Sequence, residues 1–140
     1  MCLPADFLDA HERHWHDAEL LYQEKRWANA DHLYGLAAEC GLKRLMAVFG
    51  MKSDSSGSPQ NSQDKRHVKE VWDRFESYRC AHPQGTGYAL PAGNPFQDWN
   101  VSDRYACRSH FNQSRTQSHQ AAVQTVGGLI KKAQLEGLII

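Results

Sequence analysis

Residues 27–50, "WANADHLYGLAAECGLKRLMAVFG", decide the fold of this chain. Apolar residues recur there every three or four positions for about twenty residues, which is the period of an α-helix with one buried face. The apolar positions are Trp27, Ala30, Leu33, Tyr34, Ala37, Ala38, Gly41, Leu42, Leu45, Val48 and Phe49. Several of these side chains are small, so a neighbouring helix can approach closely, and Gly50 is a stop signal.

The rest of the chain carries three further helical patterns. One covers residues 5–26 and another covers residues 66–79, each with apolar or aromatic residues on one face. The last is expected to begin near Ser102 or Asp103, either of which can cap a helix, and to run to about Leu135. With no strand pattern and no internal repeat, the sequence predicts an all-α fold: an up-down bundle of four main helices in one domain, 1–140.

Two connections interrupt this pattern. Residues 51–64 are rich in Ser, Asn, Gln and Gly, and they predict a mobile loop. Residues 82–101 contain three prolines and three glycines, so they cannot form a regular helix. This second connection also contains Tyr88, Phe96 and Trp99, and it is therefore expected to be a packed irregular loop that crosses the bundle.

Composition narrows the setting. Sixteen Lys and Arg residues balance sixteen Asp and Glu residues, so no bulk charge draws the chain to nucleic acid or to an anionic membrane. Residues 101–140 are locally basic, with five cations against two anions. The four cysteines are scattered, and there is neither an export signal nor a run of about 20 apolar residues. We therefore expect a cytoplasmic protein with reduced thiols, no cofactor and no membrane association.

The segment "RYACRSHFNQSRTQSH", residues 104–119, concentrates arginine and histidine. On a straight helix Arg108, Arg115 and His119 share one stripe with Asn112, which is either a solvated face or a surface that binds a ligand. Arg104 and His110 would lie about 240° apart around such a helix. They converge only if Arg104 lies on an irregular entry to the helix, or if a symmetric dimer pairs one chain's motif with its twin's.

In outline the chain resembles the HEPN family (higher eukaryotes and prokaryotes nucleotide-binding). The resemblance rests on "ANADHLYGLAAECGLKRLM" (residues 28–46), on the helix order, and on "RYACRSH", an arginine and a histidine with five residues between them. It implies a helical bundle that forms homodimers and, in many members, cleaves RNA without a metal. Other members are non-catalytic modules that bind a nucleotide or a protein partner. The resemblance also suggests a toxin–antitoxin or phage-defence setting with an antitoxin-like partner.

The resemblance assigns roles to particular residues. Arg104 and His110 would be catalytic, because an imidazole can transfer a proton near neutral pH and a guanidinium can hold two phosphate oxygens. Apart from what the resemblance implies, the residues that we expect to bind the substrate are Tyr105, Arg108, Arg115 and His119. Tyr105 departs from the family pattern, in which the residue after the arginine is commonly Asn, Asp or His. A phenol can still hydrogen-bond a phosphate or a 2′-hydroxyl.

The first helical segment offers a third class of function, a metal-binding bundle enzyme. It contains His11, His14 and His16. The spacing is not H-E-x-x-H, and nowhere does a glutamate precede a histidine by three residues, as in the Glu-x-x-His pairs of di-iron bundles. We therefore expect no native metal, with His11 partly buried and the other two at the surface.

Overall fold

A computed structural model describes residues 3–140 of the chain. Its four main helices are α1 (Phe7–Gln23), α2 (Trp27–Val48), α3 (Val68–Cys80) and α4 (Gln113–Leu135). Helix α2 lies at the centre, because α1, α3 and α4 all pack against it. No β-strand occurs in this part of the chain, apart from one isolated bridge between Ser53 and Pro59. This confirms the predicted all-α bundle of four main helices.

Helices α1 and α2 form an antiparallel hairpin. Tyr22, near the end of α1, packs edge-on against Trp27 at the start of α2, with ring centroids 5.1 Å apart. At the other end, His11 Nδ1 donates to the carbonyl of Ala37 at 2.7 Å. The predicted apolar stripe of α1 therefore faces α2.

Helix α4 packs on the other helices through small residues and runs in the same direction as α2. Its first turn places Thr116 Oγ1 3.4 Å from the Trp27 carbonyl, and farther along, Val126 lies against Gly41. Gly127 contacts α1, since a Cβ there would lie 2.2 Å from the Trp15 ring. The absence of side chains at these glycines allows the close approach that the small residues of α2 predict.

Helix α3 also runs in the same direction as α2. His67, just before α3, lies beside Glu39, and Phe75 packs against Phe49 with ring centroids 6.2 Å apart. Simple up-down order therefore holds for α1 and α2 only. The connection 51–67 carries the chain back along the bundle before α3 begins, and 81–112 does the same before α4.

The connection 51–64 makes specific contacts. Met51 is buried, and so is Asp64, which lies in a 3₁₀ turn at Ser62–Lys65. The Asp64 carboxylate accepts hydrogen bonds from Arg74 Nε and the Tyr78 hydroxyl, both at 2.5 Å. The mobility expected of this loop stays a prediction.

The connection 82–101 crosses the bundle; it contains one 3₁₀ helix, Pro83–Tyr88, and no α-helix. Its aromatic side chains Tyr88, Phe96 and Trp99 are buried in the core. Gly35 of α2 makes room for Trp99, because a Cβ at Gly35 would lie 2.1 Å from the indole Nε1. Burial of aromatic side chains this large stabilises a fold by about 1.5–3 kcal/mol each.

The predicted start of the last helix is wrong. Asn112, not Ser102 or Asp103, is its N-cap, and the Asn112 side chain accepts the Arg115 N–H at 2.9 Å. Asp103 instead caps a short 3₁₀ turn, Val101–Tyr105, through the N–H of Asn100. A second 3₁₀ turn, Arg108–His110, follows, and extended residues separate the two turns from each other and from α4.

Candidate functional site

The predicted catalytic pair lies on the irregular entry to α4 and not on the helix itself. Arg104 and Tyr105 end the first 3₁₀ turn, and Arg108 and His110 form the ends of the second. All four side chains are exposed, Tyr105 at 79%. The Arg104 guanidinium lies 4.9 Å from the centre of the Tyr105 ring. We call residues 104–110 the basic segment.

The basic side chains of this segment form no internal ion pairs within residues 3–140. Within residues 3–140, no salt bridge or side-chain hydrogen bond engages Arg104, Arg108 or His110. No hydrogen bond joins Arg104 to His110 there. An exposed arginine without a carboxylate partner keeps all five N–H groups for a ligand. The segment can therefore bind an anion without first breaking an internal ion pair.

A groove of about 620 Å³ opens beside this segment. Lys25 and Arg26, from the turn between α1 and α2, line one side, and Arg108 lines the other. Trp27 also faces the groove, and no carboxylate lines it. We call this the basic groove. Lys25 and Arg26 are neighbours in the chain, whereas Arg108 follows them by more than 80 residues.

The turn beside the groove has an unusual backbone. Lys25 adopts a φ of 59°, in the left-handed region that favours glycine. A non-glycine residue there costs roughly 1 kcal/mol or more, and such strain persists mainly where the surrounding structure holds it or function uses it. Two hydrogen bonds hold this turn: Lys25 N–H to the Tyr22 carbonyl at 3.0 Å, and Arg26 N–H to the Leu21 carbonyl at 2.9 Å.

The start of α2 adds positive potential to the groove. Arg26 is the N-cap residue, no side chain caps the helix, and no acidic residue lies in its first turn. A helix N-terminus carries a partial positive charge and free N–H groups. Two adjacent cations in the turn "EKRW" (residues 24–27) could have indicated one side of this groove from the sequence. Only the fold brings Arg108 to the other side.

Arg115 and His119, predicted to bind substrate, are placed differently from the other site residues. His119 is only 1% exposed, and its Nδ1 donates to Asp31 Oδ1 at 2.5 Å. Its Nε2 lies 2.9 Å from Asp98 Oδ1 and 3.1 Å from the Pro95 carbonyl. Burial lowers the pKa of His119, but hydrogen bonds and the charges of Asp31 and Asp98 outweigh it, so the pKa is raised.

Arg115 belongs to the same ion network. Its guanidinium lies 3.4 Å from Asp31, 3.5 Å from the Asp98 carboxylate and 3.3 Å from Asp103. The alternative of a solvated helix face is therefore wrong for His119 and Arg115. Both residues join α4 to α2 and to the 98–103 connection, and the network fixes the entry from which the basic segment projects.

The histidines of α1 lie apart from the basic segment. His11 is buried, and burial lowers its pKa despite the hydrogen bond to the Ala37 carbonyl. His14 is half-buried and His16 is exposed. Across residues 3–140, no group of three or more His, Cys, Asp or Glu side chains is arranged to hold a metal ion.

Cys40 is a buried free thiol, while Cys80 and Cys107 are exposed free thiols. Cys2 lies outside the described residues. None of the helices in residues 3–140 combines the length and the apolar character needed to cross a membrane. Comparisons with models of known protein families, with curated proteins and with solved structures found no match to this chain.

Proposed function

We propose that this chain is a HEPN-like protein that binds RNA through the basic segment and the basic groove. The observation that carries the proposal is the groove itself, where Lys25, Arg26 and Arg108 meet with no carboxylate in the lining. The chain has no net charge, so its affinity for a polyanion has to come from such a local concentration of cations. RNA is the ligand that the resemblance implies.

The groove suits a phosphate backbone. Two guanidinium groups can each take two phosphate oxygens, and Lys25 adds a mobile point charge. The uncapped N-terminus of α2 favours an anion at the same place. Arg104 continues the line of positive charge along the basic segment.

Aromatic side chains accompany these cations. Tyr105 is largely exposed beside Arg104, and Trp27 is half-buried in the groove. Single-stranded nucleic acids stack bases on such rings, with about 1–3 kcal/mol lost per base on substitution by alanine. The combination favours a single-stranded region of RNA over a duplex, because paired bases are not free to stack on protein side chains.

Metal-independent cleavage through Arg104 and His110 is the sharper form of the proposal. The exposed His110 ring has no partner within residues 3–140 that orients it, so this role requires bound RNA or a twin subunit to position the ring. Homodimerisation and an antitoxin-like partner belong to the same proposal. The runner-up, a non-catalytic nucleotide- or protein-binding module, would use the same groove for binding alone.

The test is the affinity for a fluorescent single-stranded RNA, measured by anisotropy across a salt series. Lys25→Ala, Arg26→Ala and Arg108→Ala should each weaken binding and reduce the slope of log K against log salt by about 0.7 per lost phosphate contact. Lys131→Ala is the matched control, because Lys131 is exposed on α4 and does not line the groove. Equal affinity and slope in all four variants would refute the proposed surface.

A further inference from the structure

Two histidines remote in sequence lie against the same buried indole. His32 of α2 stacks on Trp99 with ring centroids 5.0 Å apart and planes 16° apart. His67 lies 6.3 Å from the same ring. Trp99 is buried and held close to the backbone of Gly35, so the fold sets the positions of both imidazoles.

His67 is oriented by a buried ion pair. Its Nδ1 donates to Glu39 Oε1 at 3.0 Å, and the other oxygen of Glu39 accepts from Lys43 Nζ at 3.2 Å. Glu39 and Lys43 are both buried, whereas the His67 side chain is 46% exposed. Because Nδ1 is engaged, Nε2 is the nitrogen that can donate a proton to a ligand.

The surroundings of His67 favour its protonated form. The hydrogen bond to Glu39 raises its pKa, burial opposes this, and the charge of Glu39 raises it further. Lys43 lowers the pKa and Glu70 raises it, and the net direction is upward. A histidine held by a carboxylate in this way is suited to act as a general acid near neutral pH.

The surroundings of His32 favour its neutral form. Burial lowers its pKa, and the nearby positive charge of Arg104 lowers it further. Asp103 and Asp31 act in the opposite direction, His67 adds a small lowering, and the net direction is downward. The Nδ1 of His32 is buried without a hydrogen-bond partner in the protein, which leaves Nε2 to exchange a proton with a ligand.

We propose that His32 and His67 are the general base and general acid of RNA cleavage at this surface, with Arg104 holding the scissile phosphate. This inference rests on the proposed function, since the RNA must first bind along the basic segment. It gives proton transfer to these two histidines in place of His110, whose ring no hydrogen-bond partner orients within residues 3–140. His32 and His67 have fixed rings and opposite proton affinities, which is the pattern of an acid–base pair.

The reaction needs no metal and no co-reactant. His32 takes the proton of the 2′-hydroxyl, and the 2′-oxygen forms a bond to phosphorus while the bond from phosphorus to the 5′-oxygen breaks. His67 gives its proton to the departing 5′-oxygen, and Arg104 balances the charge on the phosphorane. The products are a 2′,3′-cyclic phosphate and a 5′-hydroxyl end, and the two histidines exchange protons with water to regain their starting states.

Glu39 is a positioning residue in this scheme. Glu39→Gln should lower the pKa of His67, because it removes the carboxylate that stabilises the imidazolium. The alkaline limb of the pH–rate profile should therefore move to lower pH. A merely structural role for Glu39 would change the rate without moving that limb.

The test uses the purified full chain, a single-stranded RNA and EDTA, with products analysed for 2′,3′-cyclic phosphate ends. His32→Asn and His67→Asn should each lower the cleavage rate by at least about 100-fold while RNA binding is retained. His16→Asn is the matched control, because His16 is exposed on α1. A substrate with a 2′-deoxy group at the cleavage site should bind but stay intact.

Each outcome supports or overturns the inference. Cleavage that survives in both variants, or that is lost only in His110→Asn, overturns the inference. RNA binding without cleavage by the unchanged protein also overturns the inference but leaves the proposed function standing. RNA that is neither bound nor cleaved removes the proposed function and the inference together. If either variant fails to fold, the pH–rate limbs of the unchanged protein must match the pKa values of His32 and His67 measured by NMR, and a mismatch refutes the pair.

Discussion

Replacing Asp31 with alanine tests the buried ion network that holds the entry to α4. Asp31 is fully buried, and its two oxygens bind His119 Nδ1 at 2.5 Å and Arg115 Nε at 3.4 Å. Removing one partner of a buried pair typically costs 3–5 kcal/mol, because the remaining charge is left without compensation. Arg115 keeps Asp98 and Asp103, and His119 can lose its proton, so we expect about 3 kcal/mol, at the lower end.

The assay is urea unfolding followed by circular dichroism. With a slope of about 2 kcal/mol per molar urea, a loss of about 3 kcal/mol moves the midpoint down by roughly 1.5 M without changing the slope. Asp17→Ala is the control, since Asp17 is exposed on α1 and makes no ion pair within residues 3–140. We expect it to change stability by less than about 0.5 kcal/mol.

The result that would refute this reasoning is a midpoint for Asp31→Ala within about 0.5 M of the unchanged protein. The network would then favour one arrangement of the fold without adding to its stability. The entry to α4 would be held by Phe96, Trp99 and Phe111. A reduced slope would instead indicate a change in the folded or unfolded ensemble.

Three further predictions concern pH, packing and thiol reactivity. The pKa of His119 is raised in the folded protein, so the stability that its proton contributes is full below about pH 6.5 and is lost as the pH rises through that raised pKa. The difference in unfolding free energy between the unchanged protein and His119→Gln should therefore shrink from pH 6 to pH 9. A difference that stays constant over this range contradicts the prediction. Gly127→Ala should lower the free energy of unfolding by about 1–3 kcal/mol, because its Cβ would overlap the Trp15 indole of α1. Gly128→Ala has nothing within 4 Å of its Cβ and should stabilise the helix by up to about 1 kcal/mol. Equal urea midpoints for the two variants would contradict this packing. Hydrogen bonds from Ser109 lower the pKa of the Cys107 thiol, whereas the hydrogen bond to Glu76 raises the pKa of the Cys80 thiol. Iodoacetamide at pH 7.5 should therefore label Cys107 first, because the thiolate is the reactive form. Faster labelling of Cys80, followed by peptide mass spectrometry, would contradict this.

The local sequence pattern was sufficient to predict the helices whose signals lie close together in the chain. The apolar period of 27–50 predicts α2 to within a residue or two of its observed ends, Trp27–Val48, because the spacing of buried side chains follows directly from 3.6 residues per turn. It was not sufficient at the start of α4. The residues expected to cap it were Ser102 and Asp103. The actual cap is Asn112, and the choice depends on Arg115 and Trp99, which hold residues 98–103 against the bundle.

The sequence by itself determined that the chain forms an all-helical bundle, and it concentrates arginine and histidine in residues 104–119. Only the tertiary structure separated those residues into exposed Arg104, Arg108 and His110 and the internally paired Arg115 and His119. It alone brought Lys25 and Arg26 to Arg108, and His32 and His67 to Trp99. The physical reason is that periodicity records which face of a helix is buried, whereas the contacts of a charged or aromatic side chain depend on how distant segments pack together.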